Sequence, residues 1–220
     1  MIVTLDGPAG AGKSSAARAL ATRLGWCHLD TGAMYRAVAL IALEGEVPLD
    51  DASRLAAIAE RLAIEFQGER VFVGGRDVSA EIRTERVTRA TRPVADTPAV
   101  REAMKRMQRK LAEGLDVVTE GRDQGSVVFP HAELKVFMTA SPEERARRRY
   151  CEEVARGTDS SLDAVLRAQA RRDEGDRTRP VGAMKPAHDA VILETDGLTA
   201  NEVVDRLVEL VAARRGEHAR

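Results

Sequence analysis

The chain has 220 residues, 44% of them apolar and 31% charged, with 34 Lys plus Arg against 35 Asp plus Glu. That length suits one compact α/β domain with a real core, and the composition excludes a disordered chain or a membrane span. The even charge gives no general affinity for nucleic acid, so neither nucleic acid nor membrane is expected as a partner.

Ile2-Val3-Thr4-Leu5 is a β-branched apolar run and predicts a strand. Gly7-Pro8-Ala9-Gly10-Ala11-Gly12-Lys13-Ser14 follows, a complete G-x-x-x-x-G-K-[ST] phosphate loop. Ala16, Ala17, Leu20, Ala21 and Leu24 then recur at helical spacing until Gly25 stops them. Strand, loop and helix together imply binding of a nucleoside triphosphate. The glycines let backbone N–H groups curl toward phosphate oxygens, Lys13 brings a cation to the β/γ-phosphates, and the Ser14 hydroxyl suits Mg²⁺.

His28-Leu29 predicts a short strand leading into an Asp30-Thr31-Gly32 loop, and Met34, Ala37, Val38 and Ile41 mark a helix ending at Gly45. Leu55, Ile58, Ala59 and Leu62 mark another. Ile64-Glu65-Phe66, Val71-Phe72-Val73 and Asp77-Val78, split by Gln67-Gly68 and Gly74-Gly75, read as a small antiparallel insert. Thr97-Pro98 is an N-cap with proline at the first helical position, opening a helix with Val100, Met104, Met107 and Leu111 inward. Val117-Val118-Thr119 and Leu134 to Met138 predict strands. Ser141-Pro142-Glu143-Glu144 is a capping box before an arginine-rich helix, Gly157 to Ser161 is a break, and residues 162–174 resume as helix. Val191-Ile192-Leu193 is a last strand, and a second capping box, Thr199 to Glu202, opens a helix with Val203, Val204, Leu207, Leu210 and Val211 on one face. The alternation argues a parallel sheet with ligands at the carboxyl ends of its strands. Three loops there carry charged or polar residues: the phosphate loop, Asp30-Thr31-Gly32 and Glu120-Gly121-Arg122-Asp123.

No Asn-Lys-x-Asp tetrapeptide reads guanine, and the hydrophobic run closest to a motor's acidic strand ends in Glu120 instead of Asp. Arginines crowd residues 145–149, 167–179 and 214–220. The last cluster reads as a solvated helix face. Arg145 and Arg149 share a helix face, as do Arg172, Asp176 and Arg179 if their helix persists to Pro180. A mobile flap carrying them could close on a triphosphate and exclude water, which suits phosphoryl transfer between two anions. A non-catalytic nucleotide switch is the contrary reading. Cys27 and Cys151 lack metal-ligand spacing and read as reduced thiols. No signal-peptide pattern precedes the first strand, so the cytoplasm is the expected compartment.

The phosphate loop, Leu29-Asp30-Thr31-Gly32-Ala33-Met34-Tyr35-Arg36, Asp77-Val78-Ser79 with Glu81-Ile82-Arg83, Glu120-Gly121-Arg122-Asp123-Gln124-Gly125 with Val127-Val128-Phe129-Pro130, and Arg171-Arg172-Asp173 together resemble the bacterial cytidylate kinases. The resemblance runs from residue 2 to about 212. It implies a nucleoside monophosphate kinase-like P-loop NTPase: an α/β fold with a five-stranded parallel sheet, a small antiparallel insert and a helical lid. The implied single domain has its core at 1–35, 96–144 and 181–220, a monophosphate-binding region at 36–95 and a lid at 145–180. The implied reaction moves a phosphoryl group from ATP to CMP or dCMP with Mg²⁺, giving CDP or dCDP, in a protein expected to act as a monomer. The alternative is a P-loop kinase of another small acceptor, such as UMP or shikimate.

The resemblance also implies roles. Gly7, Pro8, Ala9, Gly10, Ala11, Gly12, Lys13, Ser14, Ser15, Arg145 and Arg149 take ATP, with Ser14 on the metal. Thr31, Tyr35, Arg36, Arg101, Arg122, Asp123, Arg172 and Asp176 take CMP, and Lys13, Arg122, Arg172 and Arg179 are catalytic. Arg36 and Arg122 hold the acceptor's phosphate, while Arg101 and Asp123 read cytosine. That last pairing is chemically apt, since a carboxylate accepts from the cytosine amine and a guanidinium donates to its ring acceptors. The chain departs from the family pattern at Arg92-Pro93, where a serine near the base is usual, and at Gln124, Ser126 and Gly175.

Overall fold

A computed structural model describes residues 1–155, 157 and 159–218. Arg156 and Thr158 of the expected lid, and Ala219 and Arg220 of the C-terminal arginine cluster, lie outside the described residues. The chain divides into two compact units, Met1–His28 with Leu115–Arg220, and Leu29–Gly114.

The first unit is built on β1 (Ile2–Asp6), α1 (Lys13–Leu24) and β2 (Cys27–Asp30), the last of which starts in it. After the second unit come β6 (Val117–Glu120), β7 (Leu134–Thr139), α6 (Pro142–Ala155), α7 (Leu162–Thr178), β8 (Val191–Glu194) and α8 (Ala200–His218). The strands form a five-stranded parallel sheet in the order β2-β6-β1-β7-β8. Register sets the site: Leu5 lies beside Glu120, and the Gly121 N–H donates to the Leu5 carbonyl at 3.0 Å. The loops after β1 and β6 therefore leave the sheet side by side. Val3, Leu5, Val118, Val136 and Met138 pack with Ala17 and Leu20 of α1 and Leu207 and Val211 of α8. Burying such a set of aliphatic side chains is the main stabilising contribution. Gly25, in the left-handed region, ends α1 as expected.

The second unit holds α2 (Thr31–Glu44), α3 (Ala52–Arg61), the antiparallel sheet β3 (Ile64–Gln67), β4 (Arg70–Val73) and β5 (Arg76–Asp77), then α4 (Glu85–Asp96) and α5 (Pro98–Ala112). Gly74 and Gly75, both at positive φ, make the two-residue turn from Val73 to Arg76. The antiparallel insert is thus a sheet separate from the main one, as the sequence suggested.

Several local expectations are corrected. Asp30-Thr31-Gly32 is not a loop: β2 runs straight into α2, because the Asp30 carboxylate accepts the Ala33 N–H at 2.9 Å as an N-cap. Glu120 likewise closes β6 instead of opening the loop after it. Helix α4 has no counterpart in the sequence reading. On α5 the buried stripe is Val100, Ala103, Met104, Gln108 and Ala112, with Met107 and Leu111 only half-buried beside it. Thr97 precedes α5, yet its hydroxyl donates back to the Pro93 carbonyl at 3.0 Å and caps nothing. Helix α7 runs on to Thr178, four residues past the expected end at 174.

Candidate nucleotide site

The phosphate loop joins β1 to α1, and its glycines meet steric demands. A Cβ on Gly7 would stand 2.0 Å from the Met138 carbonyl oxygen, so no side chain fits there. Gly12, at φ 86, turns the chain into α1, whose first N–H groups lack helical acceptors, an arrangement that suits an anion. Lys13 is the first helical residue and is buried, its Nζ donating to the Pro8 carbonyl at 2.7 Å. Burial and the adjacent Arg122, with Arg172 adding to them, push its ammonium down to about 7, against Glu120 and Asp6. Cations crowded at one point are the electrostatic mark of a site built for an anion. Exposed Ser14 donates from Oγ to Glu120 Oε1 at 2.8 Å, and Ser15 beside it is also exposed.

Next to the phosphate loop lies the segment after β6. Asp6 accepts the Gln124 N–H on Oδ1 at 2.8 Å and the Gly125 N–H on Oδ2 at 2.7 Å. Burial raises its pKa to about 6, opposed by those two N–H groups. Arg122 donates from Nε to Asp176 Oδ2 at 2.8 Å, and Asp176 Oδ1 accepts from Arg179 at 2.8 Å. Burial alone would raise Asp176, but Arg122 and then Arg179 and Arg172 outweigh it and hold the carboxyl below its ordinary value. Lys13, Arg122, Arg172, Arg179 and Asp176 of this unit are thereby linked through bonds or through their fields, and Asp123 joins them through its field on Asp6, which also feels Lys13.

Helix α6 divides its arginines. Arg145 is buried and donates to the Ala9 carbonyl at 2.9 Å, the Ala140 carbonyl at 3.1 Å and Asp173 Oδ2 at 2.6 Å. A Cβ on Gly10 would meet the Arg145 Cβ at 3.0 Å, so this side chain packs under the phosphate loop. Arg148 donates to the Thr195 hydroxyl and carbonyl, with its Nη1 3.9 Å from the position of a Cβ on Gly12. Arg149 faces outward, paired with Glu152 and Glu153. Arg145 and Arg148 thus lie against the phosphate loop in this structure, while Arg149 is turned to Glu152 and Glu153.

Within the second unit, Arg36 donates to the Thr88 hydroxyl at 2.7 Å and the Ile82 carbonyl at 3.2 Å. Arg101 is buried, donating to the Ala95 carbonyl at 3.2 Å, with its guanidinium 5.8 Å from the Tyr35 ring centroid. Thr31 is buried in the first turn of α2. Arg92 sits on the exposed face of α4, 3.7 Å from Asp96.

The cytidylate kinase family model matches residues 3–213. The chain belongs to that family. A protein named cytidylate kinase from Rhodopirellula baltica is 48% identical over 211 residues, covering 96% of this chain and 92% of its own. One of the same name from a Geobacillus species is 47% identical, covering 97% of each chain. A solved shikimate kinase from Bacteroides thetaiotaomicron superposes with a TM-score of 0.52 at 15% identity, over 96% of this chain and 98% of that one. At that identity the likeness is one of fold alone.

Three of the residues described above are not singled out by the sequence. Arg148 was legible in principle, since residues three apart share a helix face as well as residues four apart. Asp6 carried a signal in its place, an acid at the end of a buried strand. Thr88 had none, because its partner Arg36 is 52 positions away.

Proposed function

We propose that this protein transfers the terminal phosphoryl group of ATP to CMP and dCMP, acting as a monomer in the cytoplasm. The observation that carries the reading is the phosphate loop itself, with Lys13 buried at its end and donating to the Pro8 carbonyl, and with Arg122 and Arg172 adding to burial in lowering the lysine's basicity. An incoming triphosphate would favour the charged form of Lys13 by setting an anion beside it. A phosphate oxygen of the acceptor is already nucleophilic at neutral pH, so positioning and charge neutralisation suffice without a general base. The residues from Gly7 to Ser15 would cradle ATP. Lys13, Arg122, Arg172 and Arg179 would neutralise the moving group.

Arg122 and Arg36 are assigned the acceptor's phosphate, Asp123 and Arg101 its cytosine, and Thr31, Tyr35 and Asp176 the rest of the nucleotide. These assignments follow the family resemblance. Arg145 is assigned a supporting part, because its guanidinium is committed to two carbonyls and Asp173. Residues 145–180 are proposed as the lid, with Arg172 and Arg179 reaching the phosphates. Mg²⁺ fits the donor set: the Ser14 hydroxyl would ligate it, with Glu120 behind, once the Ser14–Glu120 bond yields. Among the described residues no three His, Cys, Asp or Glu are grouped to cage a metal, which suits an ion that keeps water and substrate phosphates as ligands. When bound, it would neutralise charge on the transferred phosphates. Among the described residues no helix is long and apolar enough to cross a membrane.

The test is an acceptor panel: ADP release from ATP and Mg²⁺ with CMP, dCMP, UMP and shikimate in turn. CMP and dCMP are expected to lead, UMP to trail by roughly tenfold or more, and shikimate to give none. Equal rates with UMP, or turnover with shikimate alone, would reassign the acceptor.

A further inference from the structure

Asp6 ends β1 and directly precedes the phosphate loop, yet both its carboxylate oxygens are spent on another loop. Each accepts one backbone N–H, from Gln124 at 2.8 Å and Gly125 at 2.7 Å, and the residue is 4% exposed. Those N–H groups open the π-helical turn Gln124–Val128, so Asp6 performs a capping job from a strand 118 positions away in sequence. The turn is clamped from its other sides too. Gln124 Oε1 accepts from the Thr119 hydroxyl at 3.0 Å. A Cβ on Gly125 would lie 2.8 Å from Thr4 Oγ1 and 3.1 Å from Lys135 Cγ, so the backbone is seated hard against β1 and β7. A buried carboxylate with two backbone N–H groups as its donors is an expensive way to hold a loop. It does supply two acceptors at fixed spacing, which no neutral side chain of that size offers. The two residues immediately before the clamp are Arg122 and Asp123.

We propose that Asp6 is a positioning residue, locking the strand that carries the phosphate loop to the loop that carries Arg122 and Asp123. It fixes the acceptor-binding pair in register with Lys13, where a displacement of about 1 Å can lower the rate about a hundredfold. The inference rests on the assignment of Arg122 and Asp123 to the acceptor.

The test is steady-state kinetics of Asp6→Asn with CMP and UMP, beside a calorimetric titration of ATP. The amide keeps the side chain's shape but turns one acceptor into a donor facing an N–H. Asp6→Asn is expected to raise the CMP KM about tenfold and shrink the CMP-to-UMP ratio of kcat/KM about fivefold, with ATP affinity changed less than about threefold. Thr119→Val, which removes the hydroxyl holding Gln124, is a milder variant expected to move the same quantities about twofold. It carries the test if Asp6→Asn fails to fold. A lowered Tm with wild-type CMP KM and ratio would make the clamp merely structural and overturn the proposal, as would equal weakening of CMP and ATP. Asp123→Asn, measured alongside, separates the two ideas. If it leaves the ratio unchanged while Asp6→Asn still raises the CMP KM selectively, the clamp stands and the base-reading role of Asp123 falls. If Asp123→Asn moves the ratio and Asp6→Asn moves nothing, the clamp falls alone.

Discussion

Two carboxylates border the phosphate-loop end of the sheet, Asp6 at the tip of β1 and Asp176 near the end of α7. Both are mostly buried, and burial pushes both upward, yet Asp6 rises to about 6 while Asp176 falls below its ordinary value. The difference lies in the partners. Asp176 is bonded to the guanidinium groups of Arg122 and Arg179, whereas Asp6 is bonded to the backbone N–H groups of Gln124 and Gly125. Guanidinium groups bonded to the carboxylate outweigh desolvation at Asp176; at Asp6 two peptide dipoles, with Asp123 opposing and Lys13 helping, reduce it without cancelling it. One carboxylate is therefore held by ions and the other by backbone geometry.

The hardest blow to the ion-held side is aimed at Asp173. It and Arg145 are nearly inaccessible, and the pair links α6 to α7 beneath the phosphate loop, beside the bond from Gln169 to the Pro142 carbonyl. Removing the carboxylate strands a buried guanidinium, so Asp173→Ala is expected to lower stability by about 3–5 kcal/mol in urea unfolding. A loss under about 1 kcal/mol would mean the guanidinium finds water, and that side is softer than it looks.

The pH dependence of stability should then split the two carboxylates. Asp6 has a raised pKa, so its contribution is fully present below its unfolded value of 3.8 and is lost as pH rises through about 6. The window of roughly two pH units corresponds to something on the order of 3 kcal/mol. Asp176 runs the other way: its contribution is present above 3.8 and disappears as pH falls through its depressed value. Wild type minus Asp6→Asn should therefore lose stability from pH 4 to 6, and wild type minus Asp176→Asn should lose it only under stronger acid. Parallel curves would dissolve the contrast.

Lys13 tests whether that contrast reaches the chemistry. It lies close enough to Asp6 to hold its carboxyl down, while Asp176 answers to arginines. Lys13→Ala should raise the Asp6 pKa further, readable by NMR titration, and reduce turnover by about a hundredfold or more. Activity within a few-fold of wild type would remove the phosphate loop from the catalytic role.

How much of this was open to reading follows from how local each feature is. The phosphate loop, the parallel strands and the antiparallel insert come from contiguous patterns, and the structure has all three. Helix α4 was hidden because only Val87, Ala90 and Val94 are buried in a charged segment interrupted by Pro93. The sequence reading pairs Arg145 with Arg149, although helical spacing allows Arg148 as well. The choice between them is made by Thr195, which is 47 positions from Arg148. The bonds of Asp6 are longer-range still, and they end on backbone N–H groups that have no side-chain signature at all. Periodicity reveals which face is buried, but not what a buried polar group will meet.

The smallest expected effect concerns two helix starts with the same capping pattern. At α8 the box closes: the Glu202 carboxylate accepts the Thr199 N–H at 2.8 Å, and Thr199 Oγ1 accepts the Glu202 N–H at 3.3 Å. At α6 only half of it forms. Ser141 Oγ accepts the Glu144 N–H at 3.3 Å, but the Ser141 N–H goes to Asp196, and the Glu144 carboxylate holds Arg147 and Arg148 instead. The local cap has been traded for bonds that tie the start of α6 to the segment after β8. Thr199→Ala and Ser141→Ala should each lose about 1 kcal/mol of stability, the usual worth of such a cap. Their kinetics should differ. Thr199→Ala is expected to leave the ATP KM unchanged, because the cap it removes closes within the start of α8. Ser141→Ala loosens the helix that carries Arg145 and Arg148 and should raise the ATP KM about threefold. If the two variants match in both stability and KM, the start of α6 is an ordinary cap, and its bonds to Asp196 do not shape the site.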